Sequence, residues 1–224
     1  GNGNVVVGIK KLSLSNASGS FSGVMSGSGG QFELVGGTET LSGVNTYTGA
    51  TTIDGTATLK ISGSTILASS GVADAGTLDV SSGSASIKTL SGGGAVTVGS
   101  QTLTLTAAGG TFSGLIGTSA DNGGLTITGG SETLTGASLY NGTTTIGSGA
   151  TLVLSGSGSI VNSRVVDNGT LDASAGNTSI LSLSGASTGS VLLAGGATLT
   201  LTNAQNDTFA GIISGGNAAS TFEI

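Results

Sequence analysis

The sequence lacks two residue types that most catalytic and metal sites require. Its 224 residues contain no cysteine and no histidine. Nucleophilic sites that pair Ser or Cys with His, zinc sites with His or Cys ligands, haem ligated by His or Cys, and thiolate clusters are therefore excluded. Disulfide bonds are excluded as well. The sequence argues against an enzyme, and it predicts neither a cofactor nor a bound metal.

Basic residues are also scarce. The chain carries five Lys and Arg residues against eleven Asp and Glu, which gives a net charge of −6. No basic stripe exists to follow a phosphate backbone, so we expect no nucleic-acid partner. The five basic residues are Lys10, Lys11, Lys60, Lys88 and Arg164.

Aromatic residues and long apolar runs are few. The chain has two Tyr, five Phe and no Trp, too few for the two aromatic girdles of an outer-membrane barrel. No uninterrupted apolar segment approaches the roughly 20 residues of a membrane helix. The first residues, GNGNVVVG, lack the regions of a signal peptide. We therefore expect a chain that does not itself span a membrane.

Short alternating segments fill the sequence. TLTLT at 102–106 and TLVLS at 151–155 alternate apolar and small polar residues, the period-2 pattern of β-strands. Such segments end in Gly, Asn or Asp, which tolerate tight turns. Glycine accounts for 44 residues and proline for none. The pattern predicts an all-β protein.

A long-range repeat is the strongest signal. GTETLSGVNTYTGATTI at 37–53 matches GSETLTGASLYNGTTTI at 130–146, an offset of 93 residues. The same offset carries DAGTLD at 74–79 onto DNGTLD at 167–172. Repetition of supersecondary units is typical of solenoids. We interpret residues 1–224 as one continuous body, with super-repeats at about 12–102 and 103–198 and a partial third at 199–224.

The spacing of apolar residues suggests how the repeat folds. Anchors recur every 18 or 19 residues, which predicts five rungs per super-repeat, or four where residues are inserted, and about ten to twelve rungs in all. Each rung would form short parallel strands, with apolar side chains stacked inside and Thr and Ser outside. This is a parallel β-helix. The anchors are Leu41, Leu59, Leu78, Val96, Leu115 and Leu134.

Polar residues that recur in both copies are expected to be structural, because an active site is needed once and a structural residue in every copy. Carboxylates are the only plausible catalytic groups in this chain, and six of the eleven fall into such pairs. The stretches ADNGG at 120–124 and GGG at 92–94 match ordinary turns rather than calcium or phosphate loops. The repeated polar and aromatic pairs are Glu39 with Glu132, Tyr47 with Tyr140, Asp74 with Asp167, and Asp79 with Asp172.

One segment resembles a known family. LSGVNTYTGATTIDGTATL at 41–59 resembles the passenger-associated transport repeat of type V autotransporters, and residues 134–154 are similar, although the NTYTG wording is lost there. The resemblance implies a right-handed parallel β-helix that is exported to the surface of a Gram-negative bacterium. It also implies a fragment of a longer passenger, which would be extracellular.

Two functions remain open. The first is a structural and adhesive stalk that self-associates end to end or laterally, or binds a host or neighbouring-cell surface or its glycans. The alternative is a carbohydrate-binding or carbohydrate-cleaving passenger, which would need a non-repeated acidic and aromatic groove. Exposed rings would favour the second function and buried rings the first. Thr-x-Thr pairs at 104/106, 126/128 and 198/200 also supply pieces of an ice-binding face.

Overall fold

The chain winds into a parallel β-solenoid. A computed structural model describes residues 1–62, 69–204, 207–215 and 220–224, and these residues form 25 short strands and no helix. The paired strands are all parallel, and each pairs with the strand one turn earlier or later. Where the residues are described, each turn has three sides, so the strands form three stacks. The predicted all-β parallel β-helix is confirmed, with about 10 turns.

Stack 1 holds eleven strand segments of the described residues, which pair in succession along the rod. Ten steps at about 4.8 Å give this stack a length of roughly 48 Å. The segments are β2 (Lys11–Leu14), the start of β5 (Gln31–Leu41), the start of β6 (Thr51–Ile61), β7 (Val72–Asp74), β10 (Leu90–Ser91), β13 (Thr111–Phe112), β16 (Gly130–Leu134), β18 (Ala150–Leu154), β20 (Thr170–Asp172), β22 (Ser190–Leu193) and β24 (Ile212–Gly215).

Stack 2 follows stack 1 in each turn. An isolated bridge between Ala137 and Ser159 continues it where strands are interrupted. Its segments are β3 (Ala17–Phe21), the ends of β5 and β6, β8 (Thr77–Asp79), β11 (Ala95–Thr97), β14 (Leu115–Ile116), the start of β19 (Ile160–Asp167), the start of β21 (Thr178–Ser184), β23 (Thr198–Leu201) and β25 (Thr221–Glu223).

Stack 3 completes the turn. At its N-terminal end β1 (Val5–Val6) pairs with β4 (Met25–Ser26). Further along it contains β9 (Ala85–Ile87), β12 (Thr102–Leu105), β15 (Gly124–Ile127), β17 (Thr143–Ile146) and the ends of β19 and β21.

The core lies inside the rod because inward and outward residues alternate along each strand. In β12, Leu103 and Leu105 are buried, whereas Thr102 and Thr104 are half-exposed. Stacked neighbours continue the pattern, since Leu103 pairs with Ala85 below and Leu125 above. One apolar cluster therefore runs along the stacks, as the alternation predicts.

The 93-residue super-repeat spans four and two-thirds turns, between the five rungs predicted and the four that insertions would give. Glu39 begins a column in stack 2 that reaches Ile116 after four turns, through Leu59, Leu78 and Val96. Glu132, the equivalent of Glu39, lies two sides further along the chain, in stack 1. Equivalent residues of the two copies therefore lie on different sides of the rod.

The predicted ladder of apolar anchors is correct only in its middle. Leu59 pairs with Leu78 and Leu78 with Val96, as expected. Leu41 instead pairs with Ile61, Ile116 takes the place of Leu115 over Val96, and Leu134 lies in stack 1 over Phe112. Spacing alone could not detect these shifts, because inward residues recur every two positions and Glu39, rather than Leu41, lies beneath Leu59.

Glycine is required where one corner rests directly on another. Gly37 and Gly130 are equivalent in the two copies, with φ values of +80° and +78°. A Cβ on Gly37 would lie 2.0 Å from the Ala17 carbonyl oxygen, and one on Gly130 would lie 1.9 Å from that of Ala108. Any side chain here would combine an unfavourable φ with a backbone clash.

Candidate functional site

The two repeated tyrosines occupy matching environments inside the rod. Tyr47 and Tyr140 are 0% and 1% exposed. The Tyr47 hydroxyl is 2.6 Å from Thr51 Oγ1, and the Tyr140 hydroxyl is 2.7 Å from Thr144 Oγ1. Burial raises the pKa of both phenols to about 12. Each ring packs in the core, and its hydroxyl forms a hydrogen bond with the threonine four residues later.

Each of these hydrogen-bonded chains ends at a serine, and the 93-residue repeat did not predict these two serines. Thr51 Oγ1 is 3.1 Å from Ser69 Oγ, and Thr144 Oγ1 is 2.7 Å from Ser163 Oγ. Each serine donates to a glycine carbonyl, that of Gly49 at 2.8 Å and of Gly142 at 2.6 Å. The two serines are 94 residues apart, so an alignment at a constant offset of 93 misses the match.

The first aspartate pair closes turns from inside the core. Asp74 and Asp167 are 0% exposed. Oδ1 of each accepts a backbone N–H from the residue two positions later, Gly76 or Gly169, at 3.0 Å. Oδ2 of each is buried without a partner. Desolvation raises the pKa of Asp74 to about 6, and it also raises the pKa of Asp167.

The glutamate pair is buried over glycines of the preceding turn. Glu39 pairs with Gly19 of the preceding turn and with Leu59 of the next turn. Thr133, the residue after Glu132, pairs with Thr111, which places Glu132 beside Gly110 of the preceding turn. The Gly110 N–H donates to Glu132 Oε2 at 3.3 Å, while Oε1 is buried without a partner. Desolvation raises the pKa of Glu132 to about 7. Both glutamates face inward like Leu41 and Leu134, as the alternation predicts.

The second aspartate pair faces outward. Asp79 Oδ1 accepts the Ser81 N–H at 2.9 Å, and Asp172 Oδ1 accepts the Ser174 N–H at 3.0 Å. Asp79 also forms an ion pair with Lys60, N to O 3.5 Å. Asp74 and Asp79 therefore point in opposite directions from neighbouring strands, one into the core and one to the surface.

The eight repeated positions lie either in the interior of the rod or at local turns. The tyrosines, glutamates and two of the aspartates are interior, and Asp79 and Asp172 close local turns. Among the described residues, no group of three or more Asp and Glu side chains is close enough to hold a metal ion. Within the same residues no helix is long and apolar enough to cross a membrane.

The aromatic rings lie mainly inside the rod. Phe32 and Phe112 are buried with the tyrosines, and Phe32 packs against Tyr47 with ring centroids 6.4 Å apart. Phe21 and Phe209 are partly buried against the core. Phe222, in β25, is 36% exposed. The described part of the chain therefore presents no row of exposed rings on which sugars could stack.

The threonine pairs do not form one surface. Thr104 pairs with Thr126 in stack 3, so the pairs at 104/106 and 126/128 lie on neighbouring turns. The pair at 198/200 belongs to β23 in stack 2, on another side of the rod.

A polar groove of about 520 Å³ lies on the outside of stack 2, across its last turns. Ser179 pairs with Thr200 and Thr200 with Glu223, so these side chains form a column along the rod. Thr200 Oγ1 donates to Glu223 Oε2 at 3.3 Å. Val161 is the one apolar side chain in its wall among the described residues. We call this feature the stack 2 groove; its polar wall includes Ser159, Thr178, Ser179, Thr198, Thr200 and Glu223.

The stack 2 groove could not be predicted from the sequence. In the sequence, Thr198 and Thr200 belong only to a Thr-x-Thr pattern, and nothing distinguishes Ser159 and Ser179 from the many other serines of the chain. Their proximity depends on the register between turns, which brings residues about 20 positions apart side by side.

Comparison with known proteins found no protein family, no curated protein and no solved structure that matches this chain.

Proposed function

We propose that this chain is a structural and adhesive rod: part of a surface-exposed, autotransporter-like passenger that mediates adhesion or self-association. The observation that carries the proposal is the stacking of about 10 parallel turns around one core. Such a rod holds its sides in fixed register over roughly 48 Å and can place many weak contacts in a row.

The distribution of side chains supports a mechanical and adhesive role. Aromatic rings and most repeated polar groups are used inside the rod, where they stabilise turns. The outward column of stack 3 is instead Ser86, Thr104, Thr126 and Thr145. Small hydroxyl side chains at this spacing offer hydrogen bonds without a large apolar patch, which suits reversible contacts between cells.

The resemblance of residues 41–59 to the passenger-associated transport repeat supports the location. A parallel β-solenoid is the fold that this resemblance implies. Absence of cysteine suits export through a narrow pore, because no disulfide can form beforehand. We propose an extracellular location on the surface of a Gram-negative bacterium.

Surface display tests the proposal. The chain is anchored on a non-adherent Gram-negative host through an unrelated membrane anchor, and the settling rate of the cells is measured together with their retention on cell-coated and glycan-coated wells. We expect faster settling or greater retention than with the anchor alone. A display-matched strain carrying Gly130→Ala, which disrupts a corner, should lose the effect. Behaviour equal to the anchor-only strain in all assays would contradict the proposal.

A further inference from the structure

We propose that the last turn of one copy of this chain stacks on the first turn of a second copy, head to tail and in the register of the rod. This inference rests on the proposed function and names the partner and the contact surface of self-association. Among the described strands, β2 and β3 pair only with β5, β24 only with β22, and β25 only with β23. The N–H and C=O groups on the other side of these strands favour pairing with a further strand edge.

Both end turns expose apolar side chains of a kind that the middle turns bury. At the C-terminal end, Ile213 and Phe222 are 37% and 36% exposed, although each pairs with a buried residue of the preceding turn. At the N-terminal end, a recess of about 370 Å³ opens onto the core beside Leu12, Phe21 and Met25. Contact between the two ends therefore removes apolar surface from water.

The register of the rod brings complementary side chains together at this contact. Ile213 ends the inward column of stack 1 that begins at Leu12, so these two residues pair when one rod continues the other. Phe222 ends the inward column of stack 2 that begins at Ala17, so a large side chain meets a small one beside the recess. Gly1 makes its hydrogen bonds at the far end of β3, which leaves the Ala17 end of the strand open.

Charge favours contact between unlike ends. The first turn contains Lys10 and Lys11 and no acidic residue, and the last turn contains Asp207 and Glu223 and no basic residue. Lys11 also pairs with Glu33 of the second turn at 2.8 Å. Opposite charges approach each other when unlike ends meet, whereas like charges approach when identical ends meet. Only the contact between unlike ends also continues the parallel strand direction of the rod.

A head-to-tail contact between straight rods does not close on itself. Each added copy leaves one end of each kind open, so association continues as a filament. The contact area is limited to the cross-section of the rod, which makes each contact weak, and we expect a Kd of roughly 1 mM. Dilute solutions should then hold monomers and concentrated solutions short filaments.

Cross-linking between two single-cysteine variants tests the proposed register. Ser13 and Ser214 are outward residues at opposite ends of one column of stack 1. The contact brings them about 4.8 Å apart, within the Cα separation that a disulfide spans. Ser13→Cys and Ser214→Cys chains, mixed at high concentration with oxidised glutathione, should form a dimer roughly fivefold faster than either variant alone. The disulfide forms as the oxidised glutathione is reduced to two thiols.

The controls separate the end contact from random collision. Thr133→Cys replaces Ser214→Cys as the matched partner, because Thr133 lies outward in the same column but in the middle of the rod. Adding Phe222→Ser to the Ser214→Cys chain should slow the cross-link roughly fivefold and leave the circular dichroism spectrum unchanged. Adding Val153→Ser, which changes an outward apolar residue of the middle turns, should leave the rate unchanged.

The outcomes distinguish this contact from the adhesive function. Equal cross-linking to Thr133→Cys, faster dimerisation of Ser13→Cys alone, or light scattering that stays at the monomer mass of 21.0 kDa at every concentration would overturn the end contact. If these tests fail while displayed cells settle or adhere, only this inference fails. If the chains cross-link as expected but displayed cells neither settle nor adhere, the adhesive function fails and the end contact stands.

Discussion

Ile53 and Ile146 occupy equivalent places in the 93-residue repeat but lie on different sides of the rod. Ile53, in stack 1, pairs with Leu34 and Asp74. Ile146, in stack 3, pairs with Ile127 and Asp167. The same local environment, an isoleucine beneath a buried aspartate, is thus built twice on separate sides. The repeated unit is a run of strands and corners, and it does not need to coincide with whole turns.

Close stacking of corners predicts unequal effects for two glycines with the same backbone conformation. Gly130 and Gly149 both have φ +78°, but only at Gly130 would an added Cβ meet backbone within 4 Å, the Ala108 oxygen at 1.9 Å. Gly149→Ala should cost about 1–2 kcal/mol, from φ alone. Gly130→Ala should cost about 4 kcal/mol or more, because two turns must separate. Urea unfolding followed by circular dichroism measures both, and equal midpoints would show that corner contact is unimportant.

The matching hydroxyl chains predict matching effects for the two tyrosines. Tyr47→Phe and Tyr140→Phe each remove a buried hydroxyl and leave Thr51 or Thr144 with one partner fewer. We expect each change to lower the free energy of unfolding by about 1–2 kcal/mol, without altering the fold. Chemical denaturation of the two variants checks this. A loss confined to one tyrosine would mean that the two copies are not energetically equivalent.

Interior carboxyl groups predict that the rod is more stable in mild acid. Burial raises the pKa of Asp74 to about 6 and of Glu132 to about 7, above their ordinary values near 4. The folded state therefore favours the protonated forms. Their stabilising contribution is complete below about pH 4 and is lost as pH rises through 6 and 7. A pKa difference of one unit between the folded and unfolded states corresponds to about 1.4 kcal/mol, so the summed effect is several kcal/mol.

Thermal unfolding between pH 5 and pH 8 measures this effect. The midpoint of the wild-type chain should fall as pH rises. Asp74→Asn combined with Glu132→Gln should reduce the slope, because neither replacement ionises. The slope that remains comes from Asp167, whose pKa is also raised by burial. Asp207→Asn is the control, since Asp207 is exposed and its replacement should leave the slope unchanged. A wild-type midpoint that rises from pH 5 to pH 8 would contradict the account.

Local alternation was sufficient to predict the fold class, because every turn repeats the same inward and outward pattern. Leu103 and Leu105 are inward and Thr104 is outward, as TLTLT indicates. Register was harder to predict. Leu41 and Glu39 both point inward, two residues apart, so spacing could not decide which of them lies beneath Leu59.

Long-range partners explain what the sequence did not reveal about the candidate site. The inward placement of Glu39 and Glu132 followed from alternation, but their glycine neighbours did not, because Gly19 and Gly110 come from the preceding turn and stand 20 and 22 residues away. Ser163 and the stack 2 groove were missed for the same reason. Insertions of one or two residues at corners change which side chains meet, and a single sequence does not reveal their effect on register.

The continuous rod is tested most directly by one distance between two spin labels. Ser13 and Ser214 are outward residues at opposite ends of stack 1, ten turns apart, and the chain has no cysteine to interfere with labelling. After Ser13→Cys and Ser214→Cys, pulsed electron resonance should give a narrow distribution centred near roughly 48 Å. A control pair at Thr133 and Ser214, four turns apart, should give roughly 19 Å, so label size cancels in the difference. A difference of roughly 29 Å supports a single stacked rod, whereas a broad distribution or a difference below roughly 15 Å would contradict it.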